Sequence, residues 1–524
     1  MDIFQYMLEV VSTQAFASLI TITTYVLLFI FMVSLLLNLR NGRDWVRKNR
    51  GSALALATLF LLALFLRVNL FGIHFPNHAG DFFYVASAKN MAMHLSYQPC
   101  EGFGYCLAPE KPATTYPAIL SIVFMVSGPS VETGALVNIV LSSLCVVAMY
   151  FASRLVFKNE RTALLSSLLL SLLVIHVYYS NTTGPHSSSV LFLLMSVIGF
   201  CIFSERRNLS SHLLALSSLA LCVSSRLDQW GILIFFAFWY LFGFRGRWKG
   251  WKTFFLPLLI FSVIMMPIAM LGYTYGFQES GDARDFGPEF VGGNLGVLAQ
   301  SLSVSNAGMW LALIGGAVGG VLLLRERRYV PASFLFAIFL YLFMFVSYEY
   351  STTENLRYLL PGVVLGLMTL SYLPSYLQGK VKGGRFPLRV VASLLLVAVF
   401  LLPFIYIEET RTPYQQVFYP LYDFTKENRD ILNGCYILQC EGRTSWAMLD
   451  TKVFVLRYEE GARTDPSRLK ELAGGRCVLY VETTNCYRYE DTQEEVRKYH
   501  NLTLLKEETY PSVNEYVRLY RVNL

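Results

Sequence analysis

The sequence predicts a polytopic α-helical membrane protein of about twelve spans, followed by a small extracytoplasmic α/β domain. Three observations carry that expectation. Of 524 residues, 54% are hydrophobic and only 15% are charged, whereas a soluble domain carries about a quarter charged residues. The apolar residues fall in repeated runs of about twenty, the length that crosses hydrocarbon. Beyond residue 408 the runs shorten, charge density rises, and strand and helix patterns alternate. The formal charge of +7 is no nucleic-acid signal, because Lys and Arg sit in short loops between spans. Membrane lipid is the expected surrounding, and no nucleic-acid partner is expected.

The apolar runs lie at 18–39, 52–71, 132–156, 162–180, 189–204, 211–225, 229–244, 253–273, 306–324, 331–350, 357–376 and 389–407. The first is too long for a signal h-region and lacks a basic segment before it. It ends in Arg40, Arg43, Arg47, Lys48 and Arg50, which marks that loop as cytoplasmic. Alternate later loops carry Lys158 with Arg161, Arg206 with Arg207, Arg245 to Lys252, Arg325 to Arg328, and Lys380 to Arg389. The opposite side then holds loop 72–131, loop 274–305 and everything after about 408. Three domains are expected: an extra helix with its basic loop at 1–50, a membrane domain at 51–407, and the α/β domain at 408–524.

Within the first outer loop, Tyr116 to Val126 is apolar but too short to cross, and reads as a helix lying in the interface. In the last domain, strands are expected at Tyr436–Gln439, 452–457, 477–482, 502–505 and 515–521. Helices are expected at 423–432, Pro466–Ala473 and 492–499. No Gly-rich phosphate loop accompanies them, which favours an accessory or acceptor-docking role.

The chemistry-bearing residues gather on the outer side. Asp81, in His78-Ala79-Gly80-Asp81-Phe82-Phe83-Tyr84, follows the exit of the second span. It is also a good N-cap for a helix over 82–93. Glu110 and Lys111 stand between prolines in the same loop. Arg67, Arg226 and Arg357 lie at outer span ends. Charges there are costly and are kept for a reason. Guanidinium groups suit a lipid-linked phosphate, because they bind its oxygens in pairs. The plainer alternative is snorkelling and ion pairing, for instance Arg226 with Asp228. His186 opens another outer loop, either as an interfacial hydrogen-bonding residue or as a metal ligand.

Three cysteines, Cys145, Cys201 and Cys222, lie in spans. The other six fall outside as close pairs, Cys100 with Cys106, Cys435 with Cys440, and Cys477 with Cys486. Proximity on an oxidising face favours disulfides within those pairs. No pair has CxxC spacing.

Taken in order, these motifs resemble the GT-C membrane glycosyltransferases, in particular protein O-mannosyltransferases and lipid A aminoarabinose transferase. The resemblance covers roughly 51–407. Residues 78–93 resemble the family's acidic signature, Asp-Glu-Ala-Tyr-Tyr followed by a helix, with Asp81 on the catalytic Asp. Glu110-Lys111-Pro112 is similar to the Glu-Lys-Pro element of the aminoarabinose branch. Ser225-Arg226 resembles the Thr-Arg-Pro turn, and Arg357-Tyr358-Leu359-Leu360-Pro361 the Arg-Tyr-Leu-Leu-Pro helix start. Phe82 stands where the family often has a second acid, and His186 near a position where many members have Asp or Glu. The first span has no counterpart in the family core.

The resemblance implies inverting transfer of a sugar from a polyprenyl-phosphate carrier to an acceptor hydroxyl of protein, lipid or glycan. Asp81 is then the base and Glu110 positions the acceptor or Lys111. Lys111, Arg226, Arg357 and Arg67 receive the carrier phosphate. The resemblance fixes no cofactor, and a divalent ion, Mg or Mn, would rest on Asp81 and His186. Two other classes stand beside this reading. A transporter of an anionic or lipid-linked substrate would show repeated halves and midplane charges, neither of which is evident. A non-catalytic envelope-assembly protein would leave Asp81 and Glu110 idle.

Overall fold

Every described apolar run is helical. The computed structural model describes residues 14–39, 47–73, 78–97, 113–243, 251–278, 287–347, 353–380, 388–405, 420–439, 448, 453–455, 466–483, 496–498, 500–511 and 515–523. Glu110, Lys111, Cys100, Cys106, Cys440 and Cys486 lie outside these, as does the acidic stretch 279–286.

The helices run α1 Gln14–Asn38, α2 Arg50–Asn69, α3 His78–His94, α4 Thr115–Ser127, α5 Val131–Phe157, α6 Glu160–Leu172, α7 Val174–Ser180, α8 His186–Arg206, α9 Leu209–Val223, α10 Ile232–Gly243 and α11 Trp251–Gln278. They continue with α12 Glu289–Gln300, α13 Ala307–Arg325, α14 Tyr329–Ala332, α15 Phe334–Val346, α16 Leu360–Leu370, α17 Leu373–Lys380, α18 Leu388–Ile405, α19 Pro420–Glu427, α20 Arg429–Leu432 and α21 Pro466–Ala473. The chain divides into two units. The first holds Met1–Ile73, Lys111–Tyr116 and Ala135–Gln415; the second holds His74–Glu110, Pro117–Gly134 and Gln416–Leu524. Most of the 72–131 loop is therefore grouped with the C-terminal residues, not with the spans that the sequence placed beside it.

Among the described residues, eight helices are long and apolar enough to cross a membrane, or nine if the bent pair α6–α7 counts as one. The expected count of twelve is not reached. The runs at 211–225, 229–244 and 389–407 form shorter apolar helices, Leu209–Val223, Leu227–Ala237 and Val390–Ile405. At about 1.5 Å per residue these fall short of about 30 Å of hydrocarbon. The run at 162–180 breaks at Leu173, whose ψ of 104° is extended, and bends by 58°.

Close helix crossings in the first unit rest on small residues. A Cβ on Gly316 of α13 would lie 2.5 Å from the Cα of Gly366 on α16, and one on Gly319 would lie 2.7 Å from the Thr369 carbonyl. The Thr369 hydroxyl donates to Gly316 O at 3.0 Å across this contact. Only glycine lets two backbones approach so closely, and in a membrane this packing replaces the hydrophobic drive between helices.

In the second unit, strands β1 Tyr436–Gln439, β2 Val453–Val455, β3 Val478–Thr483, β4 Asn501–Tyr510 and β5 Glu515–Asn523 form one sheet in the order β2-β1-β3-β5-β4. β1 is parallel to β2 and β3, whereas β5 is antiparallel to β3 and β4. Tyr436, Leu438, Val478, Tyr480 and Val522 from the sheet pack with Leu469 and Ala473 of α21 and with Val496. The strand and helix positions follow the sequence expectation closely, including the small α/β character.

The cysteine pairing does not. Cys435 is bonded to Cys477, not to Cys440, and Cys477 is not bonded to Cys486. The reason is register. Tyr436 of β1 pairs with Val478 of β3 in parallel, so the residues just before each strand stand side by side, with Cα atoms 4.7 Å apart. Tyr436 N donates to Cys477 O at 2.8 Å at the same place.

Candidate functional site

The strongest constellation in the first unit is built on the turn after α9. Ser224 and Ser225 end that helix, Arg226 is extended, and Leu227–Gly231 forms a 3-10 turn. The segment before α4 clamps this turn. Thr114 N and Thr115 N donate to Ser224 O at 2.8 and 3.2 Å, and the Thr115 hydroxyl donates to Leu221 O at 2.9 Å. These donors satisfy carbonyls that a helix C-terminus leaves open. They also bring Thr114, three residues past Lys111, against the residue two before Arg226.

Arg226 is 7% exposed. Its Nε donates to Asp228 Oδ1 at 2.7 Å, and its Nη1 donates to His186 Nδ1. Among the described residues its Nη2 has no hydrogen-bond partner. Because a guanidinium can only donate, His186 accepts at Nδ1 and is the neutral tautomer. Asp228 also accepts from Gln229 Nε2 at 3.2 Å, and Tyr341 OH donates to Gln229 Oε1 at 3.0 Å.

His186 is fixed in turn. Asn138 of α5 donates from Nδ2 to Thr182 O and Gly184 O, both at 2.6 Å, and so sets the turn that leads into α8. The His186 ring lies 4.8 Å from that of Tyr179.

Tyr358 joins the two arginines of the sequence reading. The guanidinium carbon of Arg226 lies 5.0 Å from the Tyr358 ring centroid, and that of Arg357 lies 5.5 Å from it. Arg357 is 9% exposed and sits in the 3-10 turn Thr353–Leu359. Two guanidinium groups share one aromatic ring, and Asp228 is bonded to that of Arg226. Guanidinium groups held in this way suit a phosphate, whose oxygens they bind in pairs.

Arg67 does not join this cluster. It is wholly buried, and its three guanidinium nitrogens are all engaged: Nε donates to Ser142 Oγ at 2.6 Å, Nη1 to Ala63 O at 2.9 Å and Nη2 to His176 Nδ1 at 2.7 Å. Arg67, expected to receive carrier phosphate, is thus held by neutral partners in the protein interior, away from the Tyr358 ring. The Nδ1 of His186, a residue expected as a metal ligand, is taken up by Arg226. Among the described residues no group of three or more His, Cys, Asp or Glu could hold a metal ion.

Asp81 belongs to the second unit. It lies in the first turn of α3, where the helix dipole favours a carboxylate, and it is wholly buried. From Asp81 to Met91 the helix is buried on all sides, including Lys89 and Asn90. Phe82, where the resembling family often has an acid, packs instead at 5.9 Å on Tyr422. Tyr422 OH donates to Glu132 Oε1 at 3.0 Å, and Lys426 Nζ lies 2.9 Å from the same oxygen.

Asp228, His186 and Arg226 were visible as motif residues in the sequence. Tyr358, Gln229, Tyr341 and Asn138 were not singled out. Tyr358 and Gln229 stand inside quoted motifs, so adjacency was the available signal; Tyr341 and Asn138 sit in ordinary apolar runs and offered none.

Comparison with known proteins bears on this arrangement. The family model for dolichyl-phosphate-mannose-protein mannosyltransferases matches residues 111–271, which include the Arg226 turn and His186. Among solved structures, ArnT from Cupriavidus metallidurans bound to undecaprenyl phosphate aligns with a TM-score of 0.54 at 11% identity, over 90% of this chain and 98% of that one. The Archaeoglobus fulgidus oligosaccharyltransferase AglB, in complex with an inhibitory peptide and a dolichol-phosphate, aligns with a TM-score of 0.53 at 12% identity, over 90% and 74%. The apo form of the Archaeoglobus fulgidus oligosaccharyltransferase aligns at 0.52 and 12%, over 88% and 73%. No curated protein sequence matches the chain. The fold is thus the GT-C membrane fold that these structures share.

Proposed function

We propose that this chain is a membrane glycosyltransferase. It moves a sugar from a polyprenyl-phosphate carrier to an acceptor hydroxyl, with inversion, on the extracytoplasmic face. The observation that carries the reading is the pair of guanidinium groups on the Tyr358 ring, set in the GT-C fold. Two structures of that fold were solved with undecaprenyl phosphate and with a dolichol-phosphate, and a lipid-linked phosphate is the anion this cluster suits.

In the proposed reaction Asp81 accepts the proton of the acceptor hydroxyl, which must come within hydrogen-bond reach of it. The hydroxyl oxygen attacks the anomeric carbon from the face opposite the carrier. The bond from that carbon to the phosphate oxygen breaks, and its electron pair leaves with the carrier phosphate. Arg226 Nη2 and Arg357 meet the charge that develops on it, as preorganised donors do for a departing anion, and Lys111 adds to them. A phosphate leaves without protonation, so one base suffices, and Glu110 positions the acceptor or Lys111. The complete burial of Asp81 shields the base from bulk water, which would otherwise compete as acceptor.

The extracytoplasmic placement rests on two supports. Lys and Arg concentrate in alternate loops, and the Cys435–Cys477 bond belongs to an oxidising compartment. The deciding experiment is turnover of radiolabelled polyprenyl-phosphate sugars by the purified, reconstituted chain, with and without chelator. Asp81→Asn is expected to abolish transfer while retaining carrier binding. Near-normal transfer by that variant would sink the assignment, because an amide cannot take the proton.

A further inference from the structure

The first span makes one contact that bears on the phosphate site. Its helix α1 packs against α9 and α11. Thr24 and Thr114 are both wholly buried, and their hydroxyls are hydrogen-bonded at 3.1 Å. The Thr24 oxygen also lies 2.9 Å from Ile20 O, one turn back in α1. Thr114 is the residue whose amide donates to Ser224 O. The contacts form one line: α1, Thr24, Thr114, Ser224, then Arg226 two residues on.

We propose that Thr24 is a positioning residue for the anion site. Through Thr114 it holds the 113–115 segment against the end of α9, and so fixes the direction in which Arg226 offers its guanidinium. Thr24 touches neither carrier nor acceptor. The inference rests on the carrier reading above for its functional consequence, but not for the tether itself.

The physical case is that a backbone segment of three residues is held by few bonds. Thr114 N, Thr115 N and Thr115 Oγ1 all grip the end of α9, and the Thr114 side chain is gripped from α1. A buried hydroxyl left without its partner pays a desolvation cost, so the segment would shift to recover a bond. The end of α9 would then lose two donors to Ser224 O together. This gives the first span a part in the site, beyond anchoring the chain in lipid.

The test uses the full chain in nanodiscs with undecaprenyl phosphate as probe. Thr24→Val keeps the shape and removes the hydroxyl; Thr24→Ser keeps the hydroxyl. Two quantities are read: amide hydrogen exchange at Thr114 and Thr115, and the Kd for undecaprenyl phosphate. Thr24→Val is expected to speed exchange at both amides and raise Kd roughly three- to tenfold, the value of one neutral hydrogen bond. Thr24→Ser is expected to restore both. Unchanged exchange in Thr24→Val would refute the tether. Faster exchange with an unchanged Kd, while Arg226→Ala weakens binding, would refute the positioning role. If the unaltered chain binds no undecaprenyl phosphate, the carrier reading fails, and the exchange result alone then judges the tether.

Discussion

Arg67 and Arg226 are two buried arginines in the same unit, and each donates to the Nδ1 of a histidine. Their surroundings differ in what is left over. Arg67 spends all three nitrogens on its own helix, on Ser142 and on His176, with neutral groups alone. Arg226 has a carboxylate at 2.7 Å, an aromatic ring at 5.0 Å and one nitrogen with no partner among the described residues. The first arrangement closes on itself and ties α2, α5 and α7 together, just past the break at Leu173. The second is oriented by its partners and remains incomplete. Burial and charge alone do not separate these two arginines; their partners do, neutral groups around Arg67 and a carboxylate and an aromatic ring beside Arg226.

The contrast can be broken at several points. The largest effect is expected from Arg67→Ala, which opens a cavity and strands Ser142 and His176. Stability should fall by about 2–5 kcal/mol. Arg67→Met should recover most of that, since replacing a buried charge with an apolar chain of similar volume is often neutral. Thermal unfolding in detergent and carrier binding measure the two sides. A loss of carrier affinity in a stable Arg67→Met protein would overturn the assignment of Arg67 as structural.

Arg226→Ala should act in the opposite sense. Loss of a charge-assisted contact costs about 1.5–3 kcal/mol, so carrier affinity should fall about tenfold or more. Arg226→Lys keeps the charge but not the planar fork and should retain part of it, as should Arg357→Lys against Arg357→Ala. Equilibrium binding of undecaprenyl phosphate reads each case, and unaltered affinity in both alanine variants would move the phosphate elsewhere. Next in size is Tyr358→Leu. A cation over a ring is worth about 0.5–2 kcal/mol, so a several-fold weaker affinity is expected, with kcat changed less than KM.

The smallest effect lies in the second unit. Burial raises the Glu508 carboxyl, but hydrogen bonds from Lys506, Tyr510 and Asn428 outweigh it and hold the group below its usual range. A carboxyl lowered in the folded state adds stability above its unfolded value, about 4.3. That stability is lost as pH falls through the folded value. Glu508→Gln should therefore flatten the acid limb of unfolding by less than about 1 kcal/mol. An unchanged acid limb would show the group to be solvated.

Much of the fold was legible in the sequence, and the exceptions share a cause. The sheet strands follow alternation and turn residues, which are local. The break between α6 and α7 is not local. It falls at Leu172-Leu173-Val174, with no Pro or Gly to mark it, whereas Pro257 and Pro267 lie inside the unbroken helix α11. In lipid, neighbours resatisfy the groups a proline frees, so proline is a weak guide there. The disulfide misled for the same reason: Cys435 is near Cys440 in sequence, but the parallel register of β1 and β3 brings it to Cys477. At the site, Arg226 and Arg357 could be named from their motifs. That Tyr358 lies beneath both, while Arg67 stands apart, depends on which helices pack together, and no spacing along one chain records that.

The Cys435–Cys477 bond also dates a step in the making of this protein. The two cysteines are 42 residues apart, and β2 lies between them. During synthesis Cys435 therefore waits as a thiol, with Cys440 the nearer cysteine, until Cys477 has been made. Lasting pairing with Cys477 goes with the parallel register of β1 and β3. The native bond thus records that the chain has been made past Cys477 and that its sheet has taken this register, whereas a bond to Cys440 would record neither.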